Sequence, residues 1–355
     1  MLGGYKLNML CLLLMSSSFV MPLLKASQLP PPVNPYGTTV HSDPTYINGA
    51  VAEKVTLFSQ ENSQSDKKIE RSGLLIRYPD AVGTVVMCHG FMCDKYDQGI
   101  LRGMFPAGKF NVLSFDFRAH GENTRGQCCT FGRDEAYDVL AAAHFIKNHP
   151  QVKDAPIFVY GFSMGAVAAI EAQAKDPSLF KAMILDCPFD TMENVLRRGL
   201  DDVKFSILGY EINIPGRELL NKYAFHPYVQ SLVKIILKTV AQMDPRNITT
   251  HMCPVTPVKT VSKVSVPSLF ISCKKDKRVS IEGIKAIYNN SAASYKKLWL
   301  TNGRWHFDSY FYNPEKYTET VRNFLDLALQ GTLYTTQKQE IVEDIEEILH
   351  EQRRG

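Results

Sequence analysis

The amino-acid sequence predicts an α/β fold: a mostly parallel, doubly wound sheet with an inserted helical cap. Two observations lead to this prediction. Short apolar runs typical of buried strands alternate with helix-like segments along most of the chain, which favours a parallel sheet covered by helices on both faces. The alternation stops between residues 191 and 263, which contain helix-like pieces and no clear strand.

The strands of the predicted sheet come from six apolar runs. These runs lie at 84–88, 110–117, 156–162, 181–186, 267–273 and 297–300, with helix-like segments at 133–148, 164–175 and 314–330. Ahead of them, Val55–Gln60 and Lys68–Tyr78 have the composition of two strands around a polar turn. Because so short a connection suits antiparallel strands, these two are predicted to form an antiparallel edge of the sheet.

The interruption at residues 191–263 is most simply an inserted cap. Within it, apolar residues recur at helical spacing, at Val229, Leu232, Ile235, Ile236 and Val240. An ordinary helical elaboration of the core is the alternative. The predicted organisation is then an irregular lead-in at 27–51, a core in two parts at 52–190 and 264–331, the cap between them, and a tail at 332–355.

The N-terminus predicts export. An apolar run from Leu7 to Leu24 is followed by Lys25-Ala26-Ser27, which is typical of a signal peptide over residues 1–26, cleaved after Ala26. The protein would then be secreted or periplasmic. The run is close to the length that spans a bilayer, so an uncleaved membrane anchor is the alternative. Ser16-Ser17-Ser18 and Pro22 weaken a stable spanning helix.

The tail predicts an amphipathic helix. Ile341, Ile345, Ile348 and Leu349 share one helical face, and acidic residues precede basic ones, which suits the helix dipole. Docking of this helix on the core is the first interpretation, and binding of a partner protein is the second.

Composition excludes several classes of function. The 355 residues are 45% hydrophobic and 21% charged, with a net charge of +4 that falls to +2 when Lys6 and Lys25 are removed with the signal peptide. This weak charge does not suit nucleic-acid binding. The sequence has no GxxxxGK[ST] phosphate loop and no CxxC pair, so we predict no cofactor and no metal site.

One stretch predicts a nucleophile. In "FVYGFSMGAVAAI" a strand-like segment ends and a helix-like segment begins at Ser163, which Gly161 and Gly165 bracket as G-x-S-x-G. A sharp strand-to-helix turn needs small neighbours and exposes the serine hydroxyl at the carboxyl end of the sheet. The backbone N–H of Met164, at the start of the helix, points to the same place and is a candidate oxyanion donor.

A serine needs a base, and the base needs an orienting acid. Six of the nine histidines lie in predicted loops or on helix surfaces: His41, His144, His149, His226, His251 and His350. His89 and His120 each precede a glycine at a strand end and are interpreted as structural. His306 directly follows the last strand of the core and is the predicted base, and Asp276, after the preceding strand, is the predicted acid.

These segments together resemble the α/β-hydrolase fold superfamily over roughly residues 52–331. The resemblance rests on "VVMCHGF", "VLSFDFRAHGEN", "TFGRDEAYDV", "VYGFSMG", "ILDCPF", "LFISCKKDKRV" and "GRWHF", which occur in the family's order. It is greatest to serine hydrolases with an HG-x oxyanion loop and a cap. The resemblance implies that Ser163 is the nucleophile, Asp276 the acid and His306 the base, with oxyanion donors at Phe91 and Met164.

The resemblance implies a cofactor-independent hydrolase acting on a small acyl ester, a thioester or a lipid-like substrate. The cap is also predicted to contact a membrane surface. A peptidase or amidase using the same residues is one alternative, and a non-catalytic binding protein on the same fold is another. In the family's sheet order, the loops after the strands ending at Cys88 and near Arg118 are neighbours. A disulfide from Cys93 to Cys128 or Cys129 is therefore an expectation, with free thiols as the alternative.

Overall fold

The computed structural model describes residues 25–26, 49–122, 127–201, 204–207, 210–213, 216–226, 228–231, 248–335 and 338–344. Its strands, in chain order, are β1 (Lys25–Ala26), β2 (Val51–Asn62), β3 (Ser65–Arg77), β4 (Gly83–Cys88), β5 (Phe110–Phe115), β6 (Ile157–Phe162), β7 (Ala182–Asp186), β8 (Lys204–Ile207), β9 (Tyr210–Asn213), β10 (Ser268–Cys273), β11 (Tyr295–Thr301) and β12 (Lys338–Glu343).

The α-helices, in chain order, are α1 (Gly99–Arg102), α2 (Glu135–Asn148), α3 (Met164–Lys175), α4 (Met192–Asp201), α5 (Arg217–Lys222), α6 (Pro257–Thr260), α7 (Ile281–Asn290), α8 (Asp308–Tyr312), α9 (Pro314–Leu329) and α10 (Thr332–Thr335). A short 3₁₀ turn, Val261–Lys263, follows α6. Among the residues that the structure describes, no helix is both long enough and apolar enough to cross a membrane.

Nine strands form one sheet in the order β12-β11-β10-β7-β6-β4-β5-β3-β2. The strands from β12 to β5 pair in parallel, whereas β3 pairs antiparallel with both β5 and β2. The mostly parallel fold class is confirmed, and so is the antiparallel edge. Every residue of β4, β5, β7 and β10 is buried, as expected of central strands covered on both faces.

This sheet positions the candidate site. Five neighbouring strands pair in parallel, so their carboxyl ends all lie at the same edge of the sheet; these strands are β4, β6, β7, β10 and β11. Helix α3 starts one residue after β6 and packs against β6 and β4, and most of its buried side chains are small and apolar, including Ala166, Ala168 and Ala169. Small residues let the helix approach the sheet closely, and this close approach fixes the position of its first turn.

Contacts divide the chain into two compact units. The larger holds the nine-stranded sheet, and the smaller takes in the described part of residues 196–244 together with β1. Residues 191–195 and 248–263, which the sequence prediction assigned to the cap, lie in the larger unit. The residues from Leu232 to Val240, whose helical spacing supported the cap, lie outside the described residues.

The expectation of no clear strand in the insertion is wrong. Strands β8 and β9 form an antiparallel pair, and β1 pairs antiparallel with β8. Apolar residues alternate with polar ones in "KFSI" and in "YEIN", which is the period of a strand. Each run is only four residues long, which is too short to stand out from the longer helical patterns of the insertion.

The predicted helix in the tail is also wrong over Lys338–Glu343, which form strand β12 parallel to β11. The exposed edge of β11 offers backbone groups that a strand can pair with, whereas a helix would leave them without a partner. Ile341 and Val342 are β-branched and suit this edge. Ile345, Ile348 and Leu349 lie outside the described residues.

The expected disulfide from Cys93 to Cys128 or Cys129 is not formed, because Cys128 and Cys129 are both thiols in this structure. Cys129 is buried, with its Sγ 3.5 Å from Met164 Sδ, whereas Cys128 is exposed. The adjacent cysteines therefore face different surroundings.

Candidate active site

Ser163 lies at a strained turn between β6 and α3. Its φ of 51° and ψ of −115° are unfavourable for a residue with a side chain. A Cβ atom added at Gly161 would lie 2.6 Å from Ala166 Cα, and one added at Gly165 would lie 2.1 Å from the backbone oxygen of Cys88. Both glycines are thus required for the strand and helix to meet at this angle.

The structure brings Ser163, His306 and Asp276 together. His306 Nε2 is 2.9 Å from Ser163 Oγ, and His306 Nδ1 is 2.6 Å from Asp276 Oδ2. A carboxylate accepts hydrogen bonds and cannot donate them, so Nδ1 carries the proton. Nε2 is then the acceptor that faces the serine hydroxyl. The arrangement can move a proton from Ser163 to His306.

Asp276 is held as an ionised carboxylate. Its side chain is fully buried, which opposes ionisation, but the nearby charge and hydrogen bond of His306 keep its pKa below the usual range. Two backbone N–H groups, of Val279 and Arg278, add to this effect by donating to Oδ1 at 3.1 and 2.8 Å. Both donors come from the turn after β10, which therefore fixes the orientation of the carboxylate.

The backbone N–H groups of Phe91 and Met164 donate to no acceptor among the described residues. Met164 is the first residue of α3, and Phe91 lies in the loop after β4. Parallel pairing of β4 with β6 places the starts of these two segments side by side, since Cys88 is opposite Gly161. Two backbone donors without a partner, next to a serine hydroxyl, could stabilise a negatively charged oxygen.

His89 and His120 support the loop that carries Phe91. His89 is fully buried, its Nδ1 donates to the backbone oxygen of Gly90 at 2.7 Å, and its Nε2 accepts from the N–H of Phe117 at 3.0 Å. Burial and the neighbouring His120 hold the pKa of His89 well below its usual range, so the ring is neutral. His120 Nδ1 donates to the backbone oxygen of Arg118 at 2.8 Å.

The sequence analysis missed two residues that contact this site. Asp186 is the last residue of β7. Its backbone oxygen accepts a hydrogen bond from the N–H of Ser163 at 2.8 Å, and its side-chain Oδ2 accepts one from the hydroxyl of Tyr317 at 2.6 Å. Burial raises the pKa of Asp186 to about 6. Cys187 follows with a φ of 50°, and its Sγ lies within 4.8 Å of a side-chain ligand atom of both Asp276 and His306. Both residues lie in "ILDCPF", whose apolar composition indicates only a buried strand end.

Comparisons with known proteins agree with this architecture. The family model described as Hydrolase_4 (Serine aminopeptidase, S33) matches residues 79–204. The solved structure of the esterase Pf2001 from Pyrococcus furiosus is 22% identical and has a TM-score of 0.58, covering 79% of this chain and 93% of that chain. The peroxisomal alpha-beta-hydrolase Lpx1 from Saccharomyces cerevisiae is 17% identical, with a TM-score of 0.53 over 82% of this chain and 92% of its own. This chain has the α/β-hydrolase fold.

Two curated proteins are also similar in sequence to this α/β-hydrolase-fold chain. The uncharacterized protein YqkD of Bacillus subtilis (strain 168) is 26% identical over 250 residues, which are 70% of this chain and 72% of that protein. Protein bem46 of Schizosaccharomyces pombe is 28% identical over 144 residues, which are 41% of this chain and 44% of that protein. The match of the family model ends before Asp276 and His306. The assignment of these two residues to the site therefore depends on the hydrogen bonds of His306.

Proposed function

We propose that the protein is a serine hydrolase that cleaves a carboxylic ester or thioester through an acyl-enzyme intermediate. The observation that carries the proposal is the pair of hydrogen bonds at His306, at 2.9 Å to Ser163 Oγ and at 2.6 Å to Asp276 Oδ2. A serine, an imidazole and a buried carboxylate in this order are the parts that activate a hydroxyl for attack on a carbonyl carbon.

The mechanism follows from the direction of these hydrogen bonds. Ser163 Oγ attacks the carbonyl carbon while His306 Nε2 takes its proton, and the negative charge of Asp276 stabilises the imidazolium that forms. The protonated imidazole then gives the proton to the leaving alcohol or thiol. A water molecule, deprotonated by His306, attacks the acyl-enzyme and releases the carboxylic acid.

The N–H groups of Phe91 and Met164 would bind the oxygen that becomes negative in each tetrahedral intermediate. Their value lies in being fixed before the reaction, because the donors need not reorganise as charge develops. The loop of Phe91 is held by His89, and Met164 is held by the start of α3.

Structural neighbours support an ester as the substrate class. The neighbours include the esterase Pf2001 and an acetyl xylan esterase from Paenibacillus sp. R4, which has a TM-score of 0.53 and is 14% identical. Screening p-nitrophenyl esters from acetate to palmitate on the purified protein tests the class and the preferred acyl length.

A peptidase is the second candidate, because the matching family model is described as a serine aminopeptidase. Hydrolysis of aminoacyl p-nitroanilides with no turnover of any ester would favour it.

A fluorophosphonate probe tests the nucleophile directly, because only an activated serine reacts with it. We expect labelling of the wild-type protein and none of Ser163→Ala, whose kcat on esters should fall by about 10⁴-fold or more. His306→Ala should be similarly inactive while folded. His120→Ala is the matched control: its ring makes structural contacts, so stability should fall while labelling persists. Labelling of folded Ser163→Ala, or an active His306→Ala, would overturn the assignment.

We also propose that residues 1–26 direct export and are cleaved after Ala26. Cleavage there would remove β1 from its pairing with β8. The smaller unit exposes Leu219, Tyr223 and Tyr228, and this apolar exposure supports contact with a membrane surface through the cap. N-terminal sequencing of protein recovered from the medium or periplasm tests the cleavage, and co-sedimentation with lipid vesicles tests the contact. Protein that stays in the membrane fraction and retains Met1 would favour the anchor.

A further inference from the structure

A cysteine lies directly behind the catalytic residues. In the sheet, β7 lies between β6, which leads to Ser163, and β10, which leads to Asp276. Cys187 follows the last residue of β7, and its N–H donates to the backbone oxygen of Ile271 on β10 at 2.8 Å. Its left-handed backbone conformation marks a sharp change of chain direction at the end of the strand. The side chain of Cys187 is fully buried.

We propose that Cys187, Asp276 and His306 form a binding site for Zn²⁺, and that occupation of this site reversibly blocks hydrolysis. Sγ of Cys187, a carboxylate oxygen of Asp276 and an imidazole nitrogen of His306 all lie within 4.8 Å of one another. Thiolate, carboxylate and imidazole are the ligands that zinc prefers, and three protein ligands leave one position for water. The block of hydrolysis, though not the binding, rests on the proposed function.

The geometry of the three atoms suits one ion. When three atoms lie within 4.8 Å of one another, some point is no more than about 2.8 Å from each of them. Zinc needs about 2.3 Å to sulfur and about 2.0 to 2.2 Å to nitrogen and oxygen. Each side chain therefore needs to move by less than about 1 Å, which is within the reach of small rotations. Oxygen-preferring ions such as Mg²⁺ do not suit a thiol and an imidazole.

Binding removes the base from the reaction in either orientation of the imidazole. If the ion takes Nδ1, the ring proton moves from Nδ1 to Nε2, and Nε2 can then no longer accept the proton of Ser163. If the ion takes Nε2, it replaces the serine as the partner of that nitrogen. In both cases Asp276 is engaged by the ion, and the thiol proton of Cys187 is released to solvent as the thiolate binds.

The sequence holds no sign of this site, since its three ligands are separated by 89 and 30 positions in the chain. The absence of a CxxC pair argued against a compact structural zinc site. It does not bear on ligands that three different strand ends bring together. The arrangement also differs from a catalytic zinc site, because here the ion would occupy the groups that the reaction needs.

Cobalt absorption tests the site without depending on activity. Protein treated with EDTA and then freed of chelator is titrated with CoCl₂, whose bond to a thiolate gives a near-ultraviolet charge-transfer band. We expect the band in the wild-type protein and in Ser163→Ala. It should be lost in Cys187→Ala and in the more conservative Cys187→Ser, and His306→Ala should need at least about tenfold more Co²⁺. Cys253→Ala, which removes another buried cysteine, is the matched control and should keep the band.

Inhibition is measured on the same preparations. ZnCl₂ should lower ester hydrolysis at least tenfold, EDTA should restore it, and MgCl₂ should have no effect. Cys187→Ala or Cys187→Ser, whichever thermal unfolding shows to be folded, should need at least about tenfold more Zn²⁺ for the same loss. A band that persists without Cys187, or zinc sensitivity unchanged by its removal, overturns the proposal. If no preparation hydrolyses esters, the proposed function fails, and the cobalt titration still decides the site.

Discussion

At the scale of single residues, Ser163 depends on glycines more than on its own side chain. The G-x-S-x-G pattern was readable from the sequence because each glycine has a local steric reason. His306 and Asp276 were also readable from the sequence, because each of them comes shortly after an apolar run. Asp186 and Cys187 also follow such a run, but their contacts come from residues on other strands, so no local pattern indicates them. Sequence predicts which residues reach the edge of the sheet, and only the structure shows which of them meet.

Gly165→Ala should damage both stability and activity. The new Cβ would lie 2.1 Å from the backbone oxygen of Cys88 and 2.6 Å from that of His89, so the end of β4 must move, and the loop of Phe91 moves with it. We expect a lower midpoint of thermal unfolding and a loss of ester hydrolysis. Gly199→Ala is the control, because nothing lies within 4 Å of its added Cβ in α4. It should stabilise the protein by up to about 1 kcal/mol. Equal behaviour of the two variants would contradict this account.

At the scale of elements, a buried ionic cluster joins the antiparallel edge to the helical layer. Asp138 on α2 accepts from Arg118 at 2.7 Å and from Ser59 on β2 at 2.6 Å, and Arg71 Nε on β3 lies 3.3 Å from it. The carboxylate is fully buried, but the two guanidinium groups keep its pKa below the usual range. One carboxylate thus neutralises charge from two neighbouring elements.

Asp138→Asn should destabilise the protein by about 3 to 5 kcal/mol at neutral pH, because two buried guanidinium groups lose their counter-ion. The pKa of Asp138 is lower in the folded protein than in the unfolded chain. The stabilisation by its charge is therefore fully present above the unfolded pKa of about 4, and it is lost as the pH falls through the folded pKa. The difference between variant and wild type in denaturant unfolding should therefore shrink below about pH 4. Asp134→Asn, which breaks a surface pair with Arg133, should cost less than about 1 kcal/mol. A difference independent of pH would count against the ionic explanation.

Strand β12 shows what the sequence could not predict. Its apolar residues suit a helix as well as a strand, and the choice depends on the free edge of β11, which is distant in sequence. The residue after it, Asp344, fixes the strand end: its N–H donates to the backbone oxygen of Leu300 at 2.9 Å, and its carboxylate accepts the indole N–H of Trp299 at 3.0 Å. The central strands, by contrast, were predictable because their burial on both faces leaves a local apolar run.

Asp344→Ala should cost about 1 to 3 kcal/mol in the free energy of unfolding, since the buried indole N–H of Trp299 would lose its acceptor. Denaturant unfolding followed by tryptophan fluorescence measures it. Glu343→Ala is the neighbouring control, because, among the residues that the structure describes, its carboxylate contacts only Lys285, at 3.5 Å on the surface. That change should stay below about 1 kcal/mol. A larger loss for Glu343→Ala than for Asp344→Ala would contradict the role of Asp344.

At the scale of the whole molecule, the fold gives its cysteines different exposure. In the part of the chain that the structure describes, Cys88, Cys129, Cys187, Cys253 and Cys273 are buried, Cys93 is half-buried and Cys128 is exposed. Burial raises the pKa of the Cys253 thiol to about 12, and it raises the pKa of Cys129 well above the usual range. Since the thiolate is the reactive form, Cys129 and Cys253 are protected both by lack of access and by protonation.

Alkylation of the native protein should therefore modify Cys128 first. Iodoacetamide, which is much larger than a metal ion, reaches the five buried thiols only when the fold opens, and opening a stable domain costs several kcal/mol, so their labelling should be slower by at least about a thousandfold. Mass spectrometry of peptides after timed treatment with iodoacetamide, without reductant, measures each rate, and labelling in denaturant provides the fully reactive reference. Recovery of Cys128 or Cys129 in a disulfide would contradict the structure and restore the bridge expected from export. Fast native labelling of Cys88 or Cys273, on central strands, would show that the sheet itself opens.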